Sequence, residues 1–379
     1  MKSFDSLACY MDETICEKFH IPGCDLIIYR DHEMLFRHIT GWSNYERTAP
    51  LSENNLYYVY SCTKPVTVTA GMRLVEEGKL DLDAPVKDYL PVFGNAFLET
   101  DGIRRAPKNT MTVRHLFTMT AGFDYNGGGK AQSELKRQTN GTASTREIVE
   151  TFVTRPLCFE PGWRFNYSMC HDILAAVIEV ASGKRFSDYL NEIMFLPLGM
   201  KDSTFHPTDA DRSRLAAQYT NDGNGSVVSA GMNNGFRITE NYESGGAGLI
   251  TSASDYAKFA DTMACEGTAT DGYRLLNPET VELLRTEQLS HFAGDTTFGC
   301  AAGPGYGYGL GVRTRIDQNK GQRSPIGEFG WDGAAGSYVM MDTKNRLSIT
   351  FTMHVLGWPS LIGSAHEVLR DMTYDLLGL

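Results

Sequence analysis

The two ends of the chain mirror each other, and no other feature narrows the fold as much. Near the C-terminus, Leu347, Ile349, Phe351, Met353 and Val355 alternate with Ser348, Thr350, Thr352 and His354. That period of two belongs to a strand with one buried face. Residues 336–341 precede it across the turn Asp342-Thr343-Lys344-Asn345, so the pair reads as a hairpin. Pro359-Ser360 then opens a closing helix with the apolar stripe Leu361, Ala365, Val368, Leu369, Met372 and Leu376. At the other end, apolar residues at 4, 7, 8, 11, 15 and 19 follow helical spacing. Two strand-like runs, 24–29 and 34–39, come next, joined by Arg30-Asp31-His32-Glu33. Helix-strand-strand and strand-strand-helix predict one mainly antiparallel sheet, completed by both chain ends and flanked by the terminal helices.

The middle of the chain reads differently. Helical signal dominates from about 62 to 240, in the segments 65–77, 113–118, 172–181 and 186–194, with Gly78 and Gly183 where helix stops belong. The expected architecture is α/β (α+β): a split sheet domain from 1–60 and 240–379, and a mostly helical domain from 61–239. Composition excludes several functions. With 42% hydrophobic and 21% charged residues, the chain is an ordinary globular one. Acidic residues exceed basic ones by 46 to 35, a net charge of −11 with no Lys/Arg run, which argues against nucleic acid and anionic membrane surfaces as partners. No window of about 18 apolar residues exists, and the first twenty residues carry no signal-like apolar stretch, so a cytoplasmic location is expected. The eight cysteines, Cys300 among them, stand singly with no Cys-x-x-Cys, which leaves no case for a zinc ribbon or redox chemistry. No metal or cofactor is expected.

Gly-x-Ser-x-Gly, His-Glu-x-x-His, a phosphate loop and a dinucleotide fingerprint are all absent. Ser-x-x-Lys occurs twice, and context separates the copies. Ser133 to Lys136 lies in the polar stretch 127–145, read as a surface loop. Ser61-Cys62-Thr63-Lys64 follows a strand-like run and heads a segment with Val66, Val68, Ala70, Met72, Leu74 and Val75, apolar on nearly all sides and therefore a buried helix. Three residues make almost one turn, so Lys64 points along the face of Ser61. A serine hydroxyl is a weak nucleophile until a base takes its proton, and burial favours the neutral amine that can do so. Taken alone, the pair could equally be a helix cap and a snorkelling lysine. Tyr167 stands just before the helix at Asp172, where a phenol can shuttle a proton, although packing would also explain it. Gly330-Trp331-Asp332-Gly333-Ala334-Ala335-Gly336 lets backbone approach a substrate where the C-terminal sheet begins, or simply makes a turn. His115 and His171 read as structural, and 303–308 as either a mobile loop over the cleft or a tight turn.

These residues together resemble the class C β-lactamase group of serine hydrolases, with its family VIII carboxylesterases, D-aminopeptidases and low-molecular-mass penicillin-binding proteins. The likeness runs through most of the chain. It includes residues 74–91, 112–122, Pro197-Leu198-Gly199-Met200, Gly245-Gly246-Ala247-Gly248-Leu249 and Tyr308-Gly309-Leu310-Gly311, in that order. The resemblance implies a β-lactamase/transpeptidase-like fold with the active site between sheet and helical domain. It also implies an acyl-enzyme on Ser61, proton transfer by Lys64 and Tyr167, and an oxyanion hole from the Ser61 and Ala334 amides. Two departures point to the esterase branch. Met169 stands where the lactamases carry Asn, and Trp331-Asp332-Gly333 where they carry Lys-Thr-Gly. Trp331, Asp332, Gly333 and Met169 are expected to line the substrate site, with Asp332 repelling a carboxylate. The expected activity is a carboxylesterase on uncharged short- to medium-chain esters. The alternatives are an amidase or D-amino-acid peptidase drawn by Asp332 to amines, a β-lactamase or penicillin-binding-like enzyme, an acyltransferase, or a catalytically silent binding protein.

Overall fold

The computed structural model describes residues 3–294, 298, 303–320 and 323–379; Met1, Lys2 and Cys300 lie outside the described residues. Helix α1 (Asp5–Cys9) runs directly into a π-helical stretch, Tyr10–Lys18. Strands β1 (Gly23–Arg30) and β2 (Glu33–Gly41) follow, then helices α2 (Thr63–Glu76), α3 (Cys170–Ser182) and α4 (Ala253–Ala264). The chain closes with β3 (Tyr306–Tyr308), β4 (Arg313–Arg315), β5 (Phe329–Asp332), β6 (Tyr338–Asp342), β7 (Leu347–Met353) and α5 (Pro359–Leu377). The main sheet has the order β2-β1-β7-β6-β5-β4-β3, with every neighbouring pair antiparallel. The first two strands of the chain therefore join five strands from its C-terminal part, as the mirrored ends required.

Local chemistry sets the register. Between β1 and β2, Asp31 and His32 both take positive φ, 52° and 68°, a two-residue turn whose twist matches the flanking strands. Arg30 then pairs with Glu33. On its other edge β1 pairs with β7 from Cys24↔Met353 to Arg30↔Leu347. In the β6–β7 turn the Asp342 carboxylate accepts from the Lys344 and Asn345 amides, at 2.9 and 3.2 Å, an Asx-type turn.

Each face of the sheet supports a core. Leu26, Ile28, Ile349 and Phe351 pack with Leu7 and Met11 beside α1 and with Leu369 on α5. The opposite face is covered by α4 and the helical region. Ser348, Thr350 and Thr352 are consequently buried as well, so β7 is enclosed on both faces and not half-buried as its alternation implied. It also stops earlier than the pattern suggests. At His354 the chain leaves the sheet, the imidazole Nδ1–H donates to the Ala216 carbonyl at 2.8 Å, and 355–356 pair in parallel with 219–220.

Three further expectations are revised. Residues 4–19 are helical, but from Tyr10 the backbone bonds step five residues, as in Phe19 N–H to Thr14 C=O. Ser133 stands on an exposed helix, Lys130–Gln138, and not on a loop. Residues 306–308 form the edge strand β3, with Tyr308 buried, so they are no lid. Within the helical region α2 is buried from Thr63 to Met72 and packs against α3. A Cβ on Gly71 would lie 2.7 Å from the Phe117 ring, which accounts for the glycine in the helix interior.

Truncating Ile349, fully buried in the interior strand β7, should cost about 2–5 kcal/mol. Ile103→Ala, at a site 73% exposed, should change stability by less than about 0.5 kcal/mol. Thermal midpoints of the two variants check this, and comparable losses would contradict the core assignment.

Candidate active site

A short strand, Leu56–Tyr58, pairs antiparallel with Ile250–Ser252 and delivers the chain to a single 3₁₀ turn, Tyr60–Cys62, at the head of α2. Tyr60 has φ 45°, a left-handed conformation that costs a non-glycine residue roughly 1–2 kcal/mol. Its hydroxyl donates to the buried Gln218 side chain, whose amide donates to the Gly231 and Asn233 carbonyls at 3.1 and 3.2 Å. The kink leaves Ser61 partly exposed between the buried Tyr60 and Cys62. Tyr256 O–H to Cys62 C=O (2.6 Å) and Leu249 N–H to Thr63 Oγ1 (3.0 Å) hold the turn in place.

Lys64 is wholly buried, one turn into α2. Its Nζ lies 3.1 Å from Ser61 Oγ, 2.7 Å from the Gly246 carbonyl and 3.4 Å from the Tyr125 hydroxyl. It also sits 4.6 Å from the centre of the Tyr167 ring. Gly246 is squeezed between two side chains: a Cβ there would stand 2.6 Å from Asp172 Oδ2 and 3.6 Å from Lys64 Nζ. Asp172 accepts from the Tyr242 and Ser244 hydroxyls at 2.6 and 2.5 Å. Burial raises its carboxyl above the ordinary range against the pull of those hydroxyls, of Lys64 and of the Gly246 amide. The Gly246 peptide thus spans Asp172 and Lys64, donating to one and accepting from the other.

Tyr167 reaches the same place from just before α3. Its ring lies 5.6 Å from that of Trp331 and 5.5 Å from that of Tyr125. The Trp331 indole N–H donates to the Tyr167 oxygen at 3.0 Å, a bond that strengthens when that oxygen carries negative charge. After Trp331 the chain makes a tight turn, with Gly333 N–H to Ser337 C=O at 2.7 Å and Gly336 N–H to Gly333 C=O at 2.9 Å. A Cβ on Gly333 would come 2.4 Å from the Val59 carbonyl, so only glycine lets this turn lie against the segment that leads into Ser61. The N–H groups of Ser61 and Ala334 have no acceptor among the described residues. Both residues line a cleft of about 420 Å³ whose walls include Phe165, Trp331, Trp358 and Ile362. Neither lysine nor arginine is among its described lining residues.

The sequence brought Ser61, Lys64, Tyr167, Trp331, Gly333 and Ala334 forward, and the structure gathers all six around this cleft. Met169 is the exception. It is the N-cap of α3 and packs in the core, because the first turn of that helix faces inward, so it does not line the cleft. Asp332 borders the cleft but its carboxylate is occupied: Arg313 Nη1 stands 3.6 Å away and His366 Nδ1 3.2 Å. Burial alone would raise this carboxyl, yet Arg313 and His366 hold it below the usual range. It is an internal counter-ion, neither a free repellent for carboxylates nor a free anchor for amines. His115 closes a capping box with Thr112 and is lowered to about 4, by burial first and then by Arg114. His171 is lowered to about 3 by burial and Lys64, so both stay neutral and structural. Tyr125 and the Asp172–Gly246 bridge were not foreseen as site elements. Tyr125 lies in an irregular stretch without periodicity, and Asp172 signals only a helix start.

Among the described residues one group, His32, Asp261 and Cys265, brings metal-type ligand atoms within 4.8 Å of one another. His32 and Asp261 already bond at 2.8 Å. Burial, then Asp261, pushes the Cys265 thiol to about 12, which disfavours the thiolate a metal needs. None of the three lines the cleft.

Comparison with known proteins follows the geometry. A sequence model of the β-lactamase family matches residues 11–370. The chain is 27% identical to esterase EstB of Burkholderia gladioli, over 96% of this chain and 93% of that one. It is 26% identical to protein Rv1367c of Mycobacterium tuberculosis, over 96% and 97%. The solved structure of EstCE1, a hydrolase with promiscuous acyltransferase activity, superposes with a TM-score of 0.78 over 98% of each chain, at 24% identity. With a match that extends through almost all of its length, this chain belongs to the β-lactamase family, as an enzyme of the serine-hydrolase type.

Proposed function

We propose that the protein is a carboxylesterase that cleaves uncharged esters of short to medium chain length through an acyl-enzyme on Ser61. The observation that carries this reading is the 3.1 Å contact between Lys64 Nζ and Ser61 Oγ at the floor of an aromatic cleft. As an ammonium, Lys64 donates to Oγ. As a neutral amine at the same distance it accepts the Oγ–H proton while the serine attacks the ester carbonyl. The oxyanion then faces the unspent Ser61 and Ala334 amides, the arrangement that stabilises charge only as it develops. The Tyr167 hydroxyl, against Lys64 and braced by Trp331, returns a proton to the departing alkoxide, and water later releases the acid by the reverse sequence.

The substrate class follows from the walls. Apolar side chains and bonded backbone offer an acyl or alcohol group burial worth about 25 cal/mol per Å². With no cation on the described wall and Asp332 already paired inside, neither a substrate carboxylate nor a substrate ammonium finds a free partner. This weighs against the lactamase-like and peptidase-like alternatives, and the esterase EstB among its relatives supports the ester reading.

Ser61→Ala and Lys64→Ala should each lower kcat/KM for p-nitrophenyl butyrate by about 10³-fold or more, with thermal midpoints near that of the parent. Undiminished turnover in Ser61→Ala would overturn the assignment. On the same enzyme, p-nitrophenyl butyrate should be cleaved far faster than D-alanyl p-nitroanilide; the opposite order would favour a peptidase. Gly333→Val, which drives a side chain into the Val59 carbonyl, should reduce kcat about 10²-fold with a smaller effect on KM. An unchanged kcat would remove the turn at 333–336 from the oxyanion hole.

A further inference from the structure

Gln218, just before the short strand Tyr219–Asn221, is fully buried and is not among the described residues that line the cleft. Its amide donates to the Gly231 and Asn233 carbonyls at 3.1 and 3.2 Å, and its side-chain oxygen accepts from the Tyr60 hydroxyl. A carbonyl oxygen can only accept, so the two carbonyls fix which end of the amide faces them, and the oxygen is left for Tyr60. Burial raises the Tyr60 phenol above its ordinary value, so it keeps the proton it donates.

From this one amide, bonded contacts run to both members of the Ser61–Lys64 pair. On one side, Tyr60 adjoins Ser61 and holds the left-handed φ of 45° that turns the serine out of the core. Its ring meets Tyr58 at 6.3 Å and Phe236 at 6.4 Å, contacts that bury the ring without fixing its hydroxyl. Relaxing the backbone would carry the Tyr60 side chain with it, and the bond to Gln218 opposes that. On the other side, Gln218 holds the carbonyls of 231 and 233, and the Tyr58 hydroxyl donates to the one between them, Met232, at 3.0 Å. One residue further, the Asn234 side-chain amide donates to the Ala247 carbonyl at 2.8 Å. Ala247 follows Gly246, whose carbonyl accepts from Lys64 Nζ at 2.7 Å. The serine and its amine thus hang from opposite ends of one neutral side chain.

We propose that Gln218 is a positioning residue: by anchoring Tyr60 and the strip 231–234 together, it sets the 3.1 Å spacing between Ser61 Oγ and Lys64 Nζ. The inference rests on the acyl-enzyme reading above. With the amide gone, Tyr60 relaxes out of its left-handed conformation and the strip shifts against Gly246. The pair then drifts apart while the cleft walls stay as they are. A displacement of about 1 Å between reacting groups can cost about 10²-fold in rate. The signature is a fall in kcat with little change in KM.

The test compares the parent with Gln218→Leu, Tyr60→Phe and the double variant, each checked by thermal midpoint. Two rates are read per reactive serine, counted by intact mass after exhaustive labelling with a fluorophosphonate. One is hydrolysis of p-nitrophenyl butyrate, and the other is the rate of Ser61 labelling itself. Gln218→Leu, close in size but unable to bond, should lower kcat and the labelling rate about tenfold or more, with KM near that of the parent. Tyr60→Phe, which keeps the ring and loses only the bond to Gln218, should lose less. The double variant should match Gln218→Leu, because the Tyr60 hydroxyl has already lost its partner there. A folded Gln218→Leu with the parent's rates, or a loss confined to KM, would overturn the anchor. So would a double variant whose loss is the product of the two single ones. If Gln218→Leu does not fold, Tyr60→Phe decides: a loss in kcat with KM kept supports the anchor, and the parent's rates contradict it. A parent that labels at Ser61 but does not hydrolyse the ester would instead refute the esterase reading, while the labelling rates still test the anchor.

Discussion

Everything proposed for this protein depends on one buried amine being held against one hydroxyl. Lys64 is fully buried, and its Nζ is fixed by the Gly246 carbonyl, Ser61 Oγ and the face of Tyr167. An amine in such a cage has few places to send or receive a proton, and Ser61 is the one that opens onto a cleft. Three distant segments meet to build the cage. The 3₁₀ turn into α2 supplies the serine and lysine, the approach to α3 supplies the tyrosine, and the strip 245–249 supplies the carbonyl.

The fold exists to bring those segments together. The sheet is closed by strands from both ends of the chain, so the turn at 333–336 arrives beside Val59 only when β5 and β6 are in register. The strained Tyr60 then lifts Ser61 out of the core toward that turn. Backbone strain of this kind persists only where its surroundings over-determine it, and the Gln218 network does so here. The same sheet carries a buried chain of polar side chains, Glu328, Arg313, Asp332 and His366, behind the turn at 333–336. A reactive front and a polar back are thereby joined through four residues of backbone.

Much of this was legible in the sequence because it rests on periodicity and spacing. The hairpins at the two ends, the buried helix after Ser61 and the Ser61–Lys64 face followed from patterns of two and 3.6. Tyr167 and the glycines around Trp331 stood out by position relative to those elements. What escaped had no local signal. Tyr125 comes from an irregular loop whose path only tertiary packing fixes, and Met169 turns into the core because of how α3 docks. Asp332 looked like a free charge because its partners lie 19 and 34 positions away, on β4 and α5. A single-residue reading shows that a charge is present, but not whether the fold has already neutralised it.

The most direct test of the central claim is to trap the intermediate. Acid quenching during steady turnover of p-nitrophenyl butyrate, followed by peptide mapping, should find a butyryl ester on the peptide containing Ser61, at the Ser61 oxygen. A butyryl group on any other residue, or turnover with no acylated peptide under conditions where deacylation limits the rate, would contradict the account.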